Sequence, residues 1–257
     1  MKNVSYSLIL AICLCLYGCL GPLTATYYFY ESLVSVYENV DYSEEVEVVR
    51  VSSFPHRVVV RIPTETYAHY TWDSTPERWK QDNPDWELWH ERHRELSQKN
   101  GDVGFNKNIN VTDGCIFQYR VWNTDNLITS ISIVSNADFD ENHPAGTSLD
   151  DVIAITYVSY KSIIENNYTL PEGVGYGNCG YDVTKLLSEF ESEDSRFMAS
   201  TVDGFGNSFW LKFVQDPTLA MQHTFTVTIE FEHGEPYSFT FDLDLTPTII
   251  VGNSYRT

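Results

Sequence analysis

Basic residues are scarce: 16 Lys and Arg stand against 36 Asp and Glu in 257 residues, a formal net charge of −20. That balance excludes nucleic acid as a partner, because too few cations are present to neutralise phosphates and release counterions. It also excludes attachment to an anionic membrane by charge alone. No apolar run reaches the roughly 18 residues that a spanning helix needs. Cysteine is nearly absent from the body of the chain, since Cys13, Cys15 and Cys19 crowd the start and only Cys115 and Cys179 follow. Neither a Gly-x-Ser-x-Gly elbow nor a His-Glu-x-x-His zinc motif is found. What is present is enough apolar and aromatic material, 42% and 14% of residues, to exclude disorder over most of the length. The length fits one large β domain or at most two domains.

The N-terminus carries the clearest address. Lys2 is followed by an apolar stretch over 4–17, the right length for a secretory signal and too short for a stable span. It ends in Leu16-Tyr17-Gly18-Cys19, which resembles a bacterial lipobox, where a small residue precedes the cysteine that is acylated after cleavage. The expectation is a lipoprotein signal peptide over 1–18 and lipidation at Cys19, with an ordinary signal cleaved near Ala25 as the alternative. A covalent lipid would hold on a membrane a protein that its charge would otherwise keep away. Residues 19–42 read as a tether or an edge segment, and 43–257 as a single β-sandwich-like domain with a helical insertion at 74–100. Cys115 and Cys179 are either one disulfide, closing a loop of about 65 residues with about 4 kcal/mol of stabilisation, or two free thiols.

Period-two alternation dominates the body of the chain. Val46 and Val48, then Val58-Val59-Val60, mark two early strands. Cys115, Phe117, Tyr119 and Val121 form one alternating run and Leu127, Ile131 and Ile133 another, with Asn123-Thr124-Asp125-Asn126 as the expected hairpin turn between them. Phe209, Leu211 and Phe213 make a further stripe. Phe225, Val227, Ile229 and Phe231 lead through His233-Gly234 into Tyr237, Phe239, Phe241 and Leu243, the strongest hairpin signal in the chain. A last short strand is expected over 248–251. The fold class is therefore mainly β, an antiparallel sandwich with a short helical insertion. The helix is expected from Asn83-Pro84-Asp85, presenting Trp86, Trp89, His93 and Leu96 on one face and stopping at Asn100-Gly101. A second helix is expected over 182–191, and Ser148, helped by Asp151, would cap whatever begins at Leu149.

Four features are candidates for chemistry. Glu87, His90 and His93 fall three apart on the helix and have ligand side chains, but no second copy of the unit stands in the chain. Trp72, Trp79, Trp86 and Trp89, with Tyr67 and Tyr70, form an aromatic crowd able to stack on sugar faces or to staple the insertion to the sandwich. Asp138-Phe139-Asp140-Glu141-Asn142 is an acidic turn of Ca²⁺-compatible oxygens, without the glycine of an EF-hand loop at its sixth position, which is His143. Gly173, Gly175, Gly177 and Gly180 imitate a phosphate loop, but no apolar strand precedes them.

Three segments, namely the lipobox at Cys19, Ile131-Ser132-Ile133 with Asp138-Phe139-Asp140 and His143-Pro144-Ala145-Gly146-Thr147-Ser148-Leu149, and Phe209-Trp210-Leu211-Lys212-Phe213 with Asp216-Pro217-Thr218, are similar to uncharacterised Bacteroidetes lipoproteins. The resemblance covers about residues 115–245 and rests on turn motifs, so it implies a β-rich fold and an envelope location but carries over no catalytic residue. Leu20-Gly21-Pro22-Leu23 departs from the acidic start of surface-exported members, which favours an outer-membrane anchor facing the periplasm, with display on the cell surface as the alternative. The expected function is a non-catalytic lipoprotein, bound to membrane through its lipid, that binds a protein or glycan or serves as a structural part. No cofactor, metal or catalytic residue is assigned. The alternative is a metal-assisted hydrolase of envelope polymers using Glu87, His90, His93 or the Asp138–Asp140 turn.

Overall fold

The alternating runs become two facing sheets. The structure is a computed structural model, and it describes residues 26–41, 44–50, 57–66, 86–111, 121–170, 181–198 and 207–246. In chain order the strands are β1 (Thr26–Tyr30), β2 (Val34–Val40), β3 (Glu47–Arg50), β4 (Arg57–Ile62) and β5 (Thr64–Thr66). Helix α1 (Trp86–Lys99) precedes β6 (Lys107–Val111), β7 (Val121–Thr124), β8 (Ile128–Ser135) and β9 (Ile153–Ser159). Then come α2 (Lys161–Glu165), β10 (Tyr181–Leu186), α3 (Ser192–Arg196), β11 (Asn207–Phe213), β12 (Gln222–Phe231) and β13 (Tyr237–Asp244).

A five-stranded antiparallel sheet of order β10-β9-β11-β4-β3 packs on a three-stranded antiparallel sheet of order β13-β12-β8. One core joins them. Val58, Val60 and Ile62 of β4 and Phe209, Leu211 and Phe213 of β11 point inward from the larger sheet. Ile131 and Ile133 of β8 and Phe225, Val227 and Ile229 of β12 point inward from the smaller. Phe213 meets Phe225 across the layers with centroids 4.9 Å apart, and Phe225 meets Phe241 at 5.4 Å. Burying each large apolar side chain contributes about 1.5–3 kcal/mol, so this alternation is the main force that sets the register. The β12–β13 pairing runs from Gln222↔Asp244 to Ile229↔Tyr237 and turns through Gly234 at φ 89°. The fold is a mainly β sandwich, as the alternation implies.

A second, smaller core sits around α1. Leu33, Val34, Tyr37, Leu96, Phe105, Tyr160, Ile163, Tyr168 and Phe197 form it. The helix ends in a paired C-terminal bond pattern: Gly101 at φ 70° donates to Gln98 O (3.1 Å) and Asp102 to Ser97 O (2.8 Å). The segment read as tether or edge holds β1, which pairs with β6, and β2, which is the middle strand of a sheet β5-β2-β7. Leu33, Val34 and Tyr37 are buried, which is what their apolar bulk requires.

Two local expectations are corrected. Asn123–Asn126 does not make a hairpin: β7 pairs with β2 in parallel, whereas β8 pairs with β12. The asparagines serve long-range ties instead, Asn123 Nδ2 donating to Arg196 O (2.7 Å) and Asn126 Nδ2 to His233 O (2.6 Å). The second helix is overturned by strand β10, because Val183 packs on the core and Thr184 Oγ1 lies 2.8 Å from Thr156 Oγ1 of β9; only Leu187–Glu189 turns helically. What begins at Leu149 is a turn and not a helix: Ser148 Oγ accepts from Asp150 N–H (3.3 Å), Ser148 bridges to Val134 of β8, and Leu149 N–H donates to Ile133 O (2.9 Å). The expected helix start at Asn83-Pro84 and the strand at 248–251 lie outside the described residues. Among the described residues no helix is long and apolar enough to cross a membrane.

Candidate functional site

Cys19, Trp72, Trp79, Cys115, Cys179 and the glycine run 173–180 lie outside the described residues. Trp86, Glu87 and Trp89 fall on α1, where only their backbone is described. His90 is exposed, whereas His93 turns inward, donating from Nε2 to Val34 O (2.9 Å) and standing edge-on to Tyr37 at 5.4 Å. Burial lowers the His93 pKa, so the ring is held neutral as a strap between α1 and β2. Among the described residues, no group of three or more His, Cys, Asp or Glu is arranged to hold a metal ion.

The acidic turn is closed by its own donors. Asp140 Oδ1 accepts from the Asn142 and His143 backbone N–H groups (2.8 and 2.9 Å) and from His143 Nδ1 (2.8 Å), and Oδ2 accepts from Gln215 Nε2 (2.8 Å). Asp138 Oδ1 accepts from Ala145 N–H (2.8 Å). These carboxylates order a loop, and among the described residues they are not grouped as a cation ligand set. Phe139, fully buried between Asp138 and Asp140, anchors the loop in the core beside Phe213 at 5.9 Å. Its carbonyl accepts from Thr218 and Leu219 N–H groups (2.9 and 3.2 Å), joining the loop to the 214–220 segment. Desolvation favours the protonated form of Asp140, but the His143, Asn142 and backbone donors outweigh it and lower the pKa. His143 extends the arrangement by placing Nε2 3.0 Å from Asp151 Oδ1.

Two further polar constellations carry no local signature in the sequence. Ser135 Oγ faces His223 Nδ1 at 2.8 Å, and His223 Nε2 donates to Ala220 O (2.8 Å). His223 is 3% exposed and Ser135 4%, so no substrate reaches this serine–histidine pair. It is a polar lock between β8 and β12, with His223 stacked on Phe225 at 5.2 Å. The only clue in the sequence is that His223 continues the inward stripe of β12.

The other constellation centres on Asp102, which is 0% exposed. Its Oδ1 accepts from Leu33 N–H (2.7 Å) and Tyr168 O–H (2.9 Å), and its Oδ2 from Val34 N–H (2.8 Å). Tyr168 adopts φ 58°, a conformation rare for a large side chain, which its two hydroxyl bonds help to hold: it also accepts from Gly104 N–H (3.1 Å). Around this hub Asn100 Nδ2 donates to Tyr37 O–H (3.0 Å) and Asn123 Nδ2 to Tyr160 O–H (2.5 Å). Desolvation raises the Asp102 pKa against the pull of its three donors, and burial with the nearby Asp102 charge pushes Tyr168 up to about 12. Tyr37 and Tyr160 are raised further by the same burial, so all three phenols stay protonated and act as bond donors and acceptors, not as acids.

The fold and these sites define a mainly β sandwich with a second, smaller core around α1, whose polar clusters tie its elements together. The chain matches no protein-family model, and no curated protein or solved structure matches it.

Proposed function

We propose that the chain is a non-catalytic envelope lipoprotein, anchored by a lipid on Cys19, whose β-sandwich binds a partner protein or glycan or plays a structural role. The observation that carries this reading is the use to which reactive groups are put. Both ring nitrogens of His143 and of His223, and the carboxylates of Asp102 and Asp140, bond within the fold. Function then lies in what the surface binds and where the chain is held. The Leu16-Tyr17-Gly18-Cys19 box and the resemblance to Bacteroidetes lipoproteins support an outer-membrane anchor facing the periplasm, and the tryptophans Trp72, Trp79, Trp86 and Trp89 are the favoured glycan contacts.

Fractionation of producing cells tests the anchor: the full chain is expected with the membranes, incorporating labelled fatty acid, and Cys19→Ala in the soluble fraction. Membrane retention of unlabelled Cys19→Ala would sink lipidation at that residue. A thermal-shift panel of neutral and anionic oligosaccharides tests the binding face. A ligand at a hundredfold excess over its Kd stabilises by about 2.7 kcal/mol, and Trp86→Ala with Trp89→Ala is expected to abolish the shift. If no oligosaccharide shifts the protein, the glycan reading is discarded and the protein-binding one stands.

A further inference from the structure

His143 sits between two carboxylates from different turns of one loop, Asp140 Oδ1 at 2.8 Å from Nδ1 and Asp151 Oδ1 at 3.0 Å from Nε2. A neutral imidazole has one N–H and one lone pair. In that form one nitrogen would turn its lone pair on a carboxylate at hydrogen-bond distance, so only the imidazolium satisfies both contacts. The loop supplies no competing cation, for neither Lys nor Arg occurs between Asn136 and Val152. It supplies further acids in Asp138, Glu141 and Asp150, and the 214–220 segment packed against it adds Asp216 and the neutral Gln215. The ring of Phe139 stands edge-on to His143 at 6.4 Å.

The same loop covers an edge. β8 is the outermost strand of its sheet. Its free side is covered by Gly146 N–H donating to Ser135 O (2.8 Å), by Leu149 N–H donating to Ile133 O (2.9 Å) and by the Ser148–Val134 bridge. An uncovered edge strand is a template for pairing with another chain. We propose that His143 is a proton-held clasp: as imidazolium it ties Asp140 to Asp151 and keeps residues 146–149 over the β8 edge, and on losing its proton it lets the Asp151 side of the loop go.

The two ends are unequal. Asp140 keeps three other donors after the proton leaves, whereas the Asp151 side chain is 65% exposed and His143 is its one imidazole contact. Release therefore begins at Asp151. Burial alone would lower the His143 pKa, but Asp140 and Asp151 outweigh it and raise it above the ordinary 6.5. A histidine with a raised folded-state pKa contributes stability that is fully present below the ordinary value and is lost as pH rises through the folded one. The clasp thus holds in mild acid and loosens on the alkaline side, and it does so whether or not Cys19 carries a lipid.

Ring NMR of His143 combined with amide hydrogen exchange tests this on the full chain. The ring is expected to titrate above the ordinary histidine value. Over that titration the protection of the Gly146 and Leu149 amides, corrected for intrinsic exchange, is expected to fall severalfold, while Val227 in the central strand β12 keeps its protection. Asp151→Asn, a change at an exposed position, is expected to lower the His143 midpoint with the fold intact, and His143→Gln to remove the pH dependence of the two amides. A ring that titrates at or below the ordinary value overturns the clasp. So does loop protection that stays constant while the ring titrates, or an Asp151→Asn variant whose midpoint is unmoved.

Discussion

At the scale of single residues, the placement of charge decides more than its amount. Asp102 is a carboxylate with no exposed surface, and its desolvation cost is offset only in part by three donors within 2.9 Å. Two of them, the Leu33 and Val34 amides, belong to the turn that starts β2, so the side chain fixes the entry of that strand from 68 and 69 residues away. Asp102→Ala would leave two buried N–H groups and the Tyr168 hydroxyl without their acceptor. Each orphaned buried donor costs about 1–3 kcal/mol, so a loss of about 3 kcal/mol or more in chemical denaturation is expected. Tyr168→Phe removes one member and keeps the ring, and about 1 kcal/mol is expected. A loss below about 1 kcal/mol for Asp102→Ala would show that water or a rearranged turn replaces the carboxylate. Nothing in the sequence near Asp102 announces this role. Its neighbours Asn100 and Gly101 read only as a helix stop, because the partners lie far along the chain.

At the scale of elements, legibility follows the range of the interaction that sets each one. The β12–β13 hairpin was readable because its signals are local: alternating Phe225, Val227, Ile229 and Tyr237, Phe239, Phe241 flank a glycine. Gly234 adopts φ 89°, where a Cβ is strained, so Gly234→Ala is expected to cost about 1 kcal/mol in the denaturation midpoint and to leave the register unchanged. An unaltered midpoint would mean that the turn moves to another conformation at no cost. The α1 stop at Gly101 was equally local. By contrast, the corner at Asn123–Asn126 has the composition of a hairpin turn and makes none. Its asparagine amides find Arg196 and His233 instead, and β7 goes to a parallel partner in another sheet. The 182–191 segment failed for a related reason. Its acidic and leucine-rich composition favours a helix, but the edge that β9 offers and the packing of a partly buried Val183 on the core favour a strand. Of the candidate site, His143 and the acidic turn were visible as residues. Their assembly with Asp151 and Gln215 was not, because Gln215 arrives from a loop 75 residues away.

At the scale of the whole molecule, the apolar core and the net charge act against each other. The sandwich core holds two sheets together through rings such as Phe213, Phe225 and Phe241, and its contribution does not depend on ionic strength to first order. The net charge of −20 opposes compaction by self-repulsion. Several of the cations among the described residues are committed to pairs with partly exposed side chains, such as Arg61–Glu47 at 2.9 Å, Lys99–Glu232 at 3.3 Å and Arg196–Glu193 at 3.1 Å. Such pairs contribute about 0–1 kcal/mol each, so screening removes little attraction when it removes the repulsion. The screening length shrinks from about 30 Å at 0.01 M to about 8 Å at 0.15 M salt, shorter than the separation of most like charges on a domain of this size. The Tm is therefore expected to rise by several degrees over that range, since about 1 kcal/mol corresponds to about 2–4 °C for a domain of this size. Sodium and potassium chloride should act alike. A difference between the two salts would point to a bound cation and not to screening, and a Tm that falls with either would show that the ion pairs outweigh the self-repulsion.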